Sequence, residues 1–468
     1  MTDVPSSSLF RLRRLVLAGI ALACAGALTP ALRAVDEHAQ LEPPTSEALS
    51  KVKDMTDAKD WAGALALLQA QLPNVSPTSY DTAILSEVIS KIQMQTGDYP
   101  KALETMETAV RLSDSYNYLE DKEVQELVYY LALMFNQEAS TLKSTALQQQ
   151  YLSKSTDYAK RWLDHTDKPP SDQQRQEVML FYVNVLYNRA VLNPAAADLK
   201  LMKQCEAEIE KCLQTINHPK ETFYVLLLAA LQQEGNYARS AEILELLVKQ
   251  YPAKKDYWSQ LVPIYLNLAF DKDEEKGRDN NVRAIITIER AQALGFMRTQ
   301  KDNYTLVGLY FNVGQFGKAT ELLHAGLKSG AIESIRSNWE LLAYSYQQVD
   351  KPFQAIDALK EASKHFPKSG QLDYQIAQIY YALEKPQESY QSLVSAVAKG
   401  GLEKAYAVYN FQAYVAYELT KFDEAQIAVE KAIASPGSEK EPQLPRLKQA
   451  IDDALKEREL LKSGARTH

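Results

Sequence analysis

Residues 336–369 read RSNWELLAYSYQQVDKPFQAIDALKEASKHFPKS, and their spacing decides the fold. Trp339, Leu342, Ala343 and Tyr346 fall at steps of three, four and seven, so their side chains share one stripe of a helix. Ala355, Leu359 and Ala362 form a second stripe beyond the polar turn VDKP, and Pro367 closes the stretch. Tiny residues inside a bulky stripe let a neighbouring backbone come close while the large residues fill the space around it.

The pattern returns along the chain. The next 34 residues, from Gly370, give Ile376, Ala377 and Tyr380, then Ser389, Leu393 and Ala396. A unit from Lys255 gives Trp258, Leu261, Val262 and Tyr265, then Ala284 and Ala291 after an insertion. Another starts at Glu221 (Gly235, Tyr237, Pro252), one near Gln300 (Leu306, Val307, Tyr310, Gly314, Phe316, Ala319) and one near Tyr406 (Ala413, Phe422, Ala425, Ala432). Near the front, Gly97, Tyr99, Ala102 and Ala109, and before them Trp61, Ala64 and Leu68, carry the second half of the unit. This order of large and small residues resembles the tetratricopeptide repeat (TPR). The resemblance implies an all-α, TPR-like α-solenoid, a right-handed superhelix of antiparallel helix pairs in which each unit covers the apolar face of the one before.

The organisation follows. Residues 45–115 hold N-terminal TPR-like repeats, 116–218 longer helical hairpins that depart from the pattern, 221–438 six repeats, and 439–468 a capping helix and tail. In the capping helix Leu447, Ile451, Ala454 and Leu455 lie on one side and charges on the other. Scarce glycine and proline (17 and 19 in 468 residues) fit long helices joined by short turns.

The front is read as a secretory signal. Arg11, Arg13 and Arg14 precede LVLAGIALACAGAL (15–28), too short to span a bilayer, with cleavage after Ala27 or Ala34. The residues before Cys24 do not suit a lipid anchor, and those around Arg13 and Arg14 do not suit twin-arginine export. The expectation is a mature periplasmic chain with no transmembrane segment. Residues 1–34 carry four arginines against Asp3, so their removal deepens the formal charge from −8 to −11, which argues against nucleic acid as a partner. Cys205 and Cys212, seven apart in one predicted helix, lie about 10 Å apart along its axis, beyond disulfide reach.

No catalytic, cofactor or metal site is expected. GQFGKAT (314–320) would need glycine at 312 and Ser or Thr at 319 to be a phosphate loop, but has Asn312 and Ala319. DKDEEKGRDNN (271–281) has Lys276 and Val282 where a calcium loop needs glycine and glutamate, and reads as a solvated insertion lengthening a turn. The six histidines are scattered, and neither GxSxG nor HExxH occurs.

Function then falls to the face that the first helices of successive units present to the hollow of the superhelix. The positions offset from the packing stripe are Tyr304 and Phe311; Glu340, Tyr344 and Gln347; Tyr374, Gln378 and Tyr381; and Asn410, Tyr414 and Tyr417. Rings supply rigid contact area, and amides can pair with a peptide backbone, so the expected ligand is an extended protein segment that need not be highly charged. Tyr265, Tyr310, Tyr346 and Tyr380, in the packing stripe, are expected to pack sideways on each other.

A second resemblance lies in the C-terminal half. NHPKETFYVLLLAALQQEGNYARSAEILELLVKQYPAKKDYWSQLVPIYL (217–266), AQALGFM (291–297), KATELLHAGLKSGAIE (318–333) and AVAKGGLEKAY (396–406) resemble exported TPR proteins of Gram-negative bacteria associated with TonB-type energy-transduction systems. That likeness implies a non-enzymatic periplasmic adaptor with a TonB-type complex component as partner. The alternative is an envelope enzyme, or an enzyme subunit, that positions a glycan or other polymer.

Overall fold

A computed structural model describes residues 40–165, 171–193 and 195–464; the signal-sequence reading and Cys24 lie outside these. The described residues form 21 α-helices and no strand. In order they are α1 (Pro43–Asp57), α2 (Trp61–Gln71), α3 (Tyr80–Thr96), α4 (Tyr99–Tyr116), α5 (Asp121–Ala139), α6 (Thr145–Asp164) and α7 (Asp172–Ala190). Then come α8 (Leu199–Thr215), α9 (Glu221–Gln233), α10 (Tyr237–Gln250), α11 (Lys255–Leu268), α12 (Glu274–Ala293), α13 (Gln300–Asn312) and α14 (Phe316–Ser329). The last are α15 (Arg336–Gln348), α16 (Pro352–His365), α17 (Gly370–Ala382), α18 (Pro386–Lys399), α19 (Ala405–Glu418), α20 (Phe422–Ala434) and α21 (Leu444–Gly464).

Two compact units divide within α10, one ending at Ile243 and one beginning at Leu244. In the first, α1 to α9 each pack on the next in sequence; in the second, α11 to α21 do the same. Neighbour-on-neighbour packing of helix pairs is the TPR-like α-solenoid. In the first unit α5, α6, α7 and α8 run 19, 20, 19 and 17 residues. In the second, α13 to α20 run 13 or 14.

The stripes are buried as their spacing requires. Trp339, Leu342, Ala343, Ala355, Leu359 and Ala362 join Leu323, Ile356 and Ile376 in one core. The Trp339 indole N–H donates to Ser334 Oγ at 2.9 Å, and its ring stacks on His365, so a polar tip enters the core satisfied. Ser389 stands where the unit before it has Ala355; its buried hydroxyl donates to the Ala377 carbonyl at 2.8 Å, which lets a polar atom replace a methyl.

The turn inside seven of the hairpins is one recurring device. Two residues past the first helix the backbone enters the left-handed region at Lys59, Gly235, Gly314, Asp350, Glu384 and Thr420, and one residue past it at Gly97. The amides there bond back into the helix end, as in Asp350 N to Gln347 O (3.1 Å) and Lys351 N to Tyr346 O (2.9 Å).

Two expectations need correction. DKDEEKGRDNN lengthens the turn only to five residues, 269–273, against three between α13 and α14; the rest, from Glu274, extends α12 to 20 residues. Asp273 caps the new end through Glu275 N and Lys276 N, and Gly277 sits against the Ala269 carbonyl, where a Cβ would approach to 2.8 Å. The stripe tyrosines, too, reach the preceding second helix rather than one another. Tyr265 hydrogen-bonds Glu245, Tyr310 donates to Glu289 at 2.6 Å, Tyr346 hydrogen-bonds His324, and Tyr380 accepts from Lys360 at 3.1 Å. Burial, with these carboxylates second, pushes the Tyr265 and Tyr310 phenols up to about 12. Each tyrosine ties one repeat to the next.

Cys205 and Cys212 are free and buried on α8, and burial pushes their thiols up to about 12 and about 11, so neither is a reactive thiolate.

Candidate functional site

The offset positions recur at the same three places of α13, α15, α17 and α19, and the structure treats them unequally. On α17 and α19 the rings interlock. Phe411 meets Tyr381 edge-on at 5.3 Å and Tyr374 at 6.2 Å, and Tyr381 meets Tyr414 at 5.9 Å. The hydroxyls of Tyr381 and Tyr414 lie 3.3 Å apart, and both donate to Glu418 Oε1, at 3.0 and 3.1 Å. The bond to Tyr414, then burial and the Glu418 carboxylate, hold the Tyr381 phenol well above its usual range, so it stays a neutral donor.

Tyr374, Gln378, Asn410, Phe411 and Tyr414 line one side of a cleft of about 290 Å³. Glu441, Gln443 and Leu447 line the other. The second wall is the start of the C-terminal segment, which does more than cap the array. Leu444 and Ile451 of α21 are buried with Ala413, Ala416 and Val429 of α19 and α20, and this anchors the wall. Gly437 sets its approach: its φ is +88°, and a Cβ there would lie 2.9 Å from the Tyr406 ring. Burial and the nearby Glu441 raise the Tyr374 phenol above its ordinary value.

The other predicted positions go elsewhere. Tyr417 tilts against Phe422 at 5.7 Å and packs on the α19–α21 core, away from the cleft. Phe311 meets Phe316 across its own turn. Glu340 is a joint: it accepts from Gln375 Nε2 of α17 at 3.2 Å and lies 3.6 Å from Arg336, which also pairs with Glu403 at 2.6 Å. Burial, opposed by Arg336, raises the Glu340 carboxyl. Tyr304 and Tyr344 are 43% and 52% exposed, and Gln347 is exposed.

Several residues of this site, Phe411, Glu418 and Glu441 among them, were not among the predicted positions. Phe411 and Glu418 stand three before and four after Tyr414 on one helical face, so periodicity could have found them. Glu441 comes from a turn that no helical period reaches. Among the described residues there is no group of His, Cys, Asp and Glu arranged to hold a metal ion, and no helix long and apolar enough to cross a membrane.

No protein-family profile and no curated protein matches the sequence. Solved structures similar to it include MamA, at 14% identity over 37% of this chain and 94% of that one, with a TM-score of 0.28. YrrB, described as a TPR protein with an unusual peptide-binding site, is 12% identical over 44% of this chain and 96% of its own, with a TM-score of 0.31. The Cut9–Hcn1 hetero-tetramer is 15% identical over 83% and 73%, with a TM-score of 0.24. Likeness at this level carries no function across.

Proposed function

We propose that the chain is an exported, non-enzymatic periplasmic adaptor that holds an extended segment of a partner protein on the first-helix face of its C-terminal unit. The ring-lined cleft between α17, α19 and residues 441–447 carries this reading. It joins rigid aromatic area to two side-chain amides, Gln378 and Asn410, suited to pair with a peptide backbone. The same face continues to the exposed rings of Tyr344 and Tyr304, which extend the contact area beyond one side chain. A component of a TonB-type transport system is the proposed partner, on the sequence resemblance of residues 217–406.

The test is photo-crosslinking in intact cells. A crosslinking amino acid at Tyr344 or Gln378 should trap one envelope protein, and the same probe at exposed Phe353, on α16, should not. An identical set of adducts from all three positions, or none from the groove positions, would refute the assignment.

A further inference from the structure

The cleft has a chemical preference that its rings alone do not express. None of the described residues lining it is basic, and one, Glu441, is a carboxylate. A second carboxylate, Glu418, lies outside the lining at the hydroxyl tips of Tyr381 and Tyr414 and accepts from both. A phenol that donates to a carboxylate becomes more electron-rich, and the negative face of its ring then attracts cations more strongly. Phe411 and Tyr374 add ring surface at right angles to each other, with an interplanar angle of 82°. At about 290 Å³ the space lies at the low end of the roughly 300–1,000 Å³ typical of small-ligand pockets, suited to one side chain rather than a folded surface.

We infer that this cleft is a cation pocket: it takes the lysine or arginine side chain of an extended partner segment, with the ammonium or guanidinium between the aromatic wall and Glu441. The charge complementarity is the reverse of a carboxylate-clamping groove, because the acid belongs to the protein and the base to the ligand. Gln378 and Asn410, on the same wall, reach the backbone that flanks the inserted residue. This deepens the partner-binding reading and rests on it.

The two readings can be separated with the full chain and three capped pentapeptides, identical except for a central lysine, norleucine or glutamate. The methyl groups of Ala407 and Leu447 line the cleft, so their resonances in a methyl-labelled sample report its occupancy without altering it. The lysine peptide should shift them with an affinity about tenfold tighter than norleucine, and glutamate should not shift them. Glu441→Gln should bring lysine to the norleucine level, with thermal unfolding unchanged because Glu441 lies in a turn outside the helices. Equal binding of lysine and norleucine, or lysine binding indifferent to Glu441→Gln, would overturn the cation pocket while leaving a peptide groove. Silence of both methyls with all three peptides would overturn the pocket and count against the groove as well.

Discussion

Helices α13 and α15 and helices α17 and α19 carry tyrosines at equivalent repeat positions, yet the two pairs use them differently. Tyr304 corresponds to Tyr374, and Tyr344 to Tyr414. Exposure alone does not separate them, since Tyr414 is 41% exposed against 43% and 52% for Tyr304 and Tyr344; what differs is that the second pair's rings lock onto Phe411, onto Glu418 and beside the C-terminal wall. The position of Phe411 is held by Thr305, Leu341 and Gln375 in the other three units. One added ring, one carboxylate and a covering segment thus turn a repeated surface feature into a cleft. A repeat register says where a side chain points, and its neighbours decide what it does.

Backbone closeness should break the comparison most severely. A Cβ on Gly370 would lie 2.1 Å from the Ala396 carbonyl oxygen and 2.5 Å from that of Gly400, so Gly370→Ala must push α17 off α18. We expect a loss of about 3 kcal/mol, read by chemical denaturation. Gly308, on α13, has nothing within 4 Å of its missing Cβ, and Gly308→Ala should stabilise by about 0.5–1 kcal/mol.

Next in size is the ring ladder itself. Phe411→Ala removes the contacts to Tyr374 and Tyr381 and should cost about 2 kcal/mol, less than a fully buried phenylalanine because Phe411 is only half-buried. Tyr344→Ala should change stability by less than about 0.5 kcal/mol. Equal losses in thermal melts would mean that the two surfaces are not distinct.

Adding a ring should sharpen the comparison. By the geometry of α17 and α19, Leu341→Phe on α15 faces Tyr304 and Phe311 as Phe411 faces Tyr374 and Tyr381. A gain of about 0.5–1 kcal/mol, with reduced solvent quenching of Tyr304, is expected. The smallest effect sits in the turns. Glu384 and Thr420 hold the left-handed conformation that Gly314 holds without strain, at φ of 57°, 59° and 74°. Glu384→Gly and Thr420→Gly should each gain about 0.5 kcal/mol and Gly314→Ala should lose about 1 kcal/mol, measured by urea unfolding.

The packing stripes could be read from spacing alone, because helix-to-helix contact leaves a strict record of size at each position: Ala343, Ala355, Ala377 and Ala396 are all buried where the period puts them. Single-residue departures were legible in the same way, as with Ser389. Long-range seating was not. That Gly277 would let six extra residues continue a helix against the Ala269 carbonyl depends on an approach between two elements. The tie from each stripe tyrosine to the helix before it crosses 20 to 22 residues, and helical periodicity is blind to that distance. The site was half legible. Tyr374, Gln378, Asn410 and Tyr414 share the cleft, whereas Tyr417 lies one turn too far and meets Phe422. Glu441 enters only because Gly437 bends the chain back over Tyr406.

The decisive measurement is calorimetric titration of the crosslinked partner's segment into the native chain and into the Tyr374→Ala, Gln378→Ala, Tyr414→Ala triple variant, with the melting curve of each recorded alongside. If the first-helix face is where the partner sits, affinity falls by about thirtyfold or more while cooperative unfolding persists. Undiminished affinity in the folded variant would place the partner elsewhere on the molecule and contradict the account.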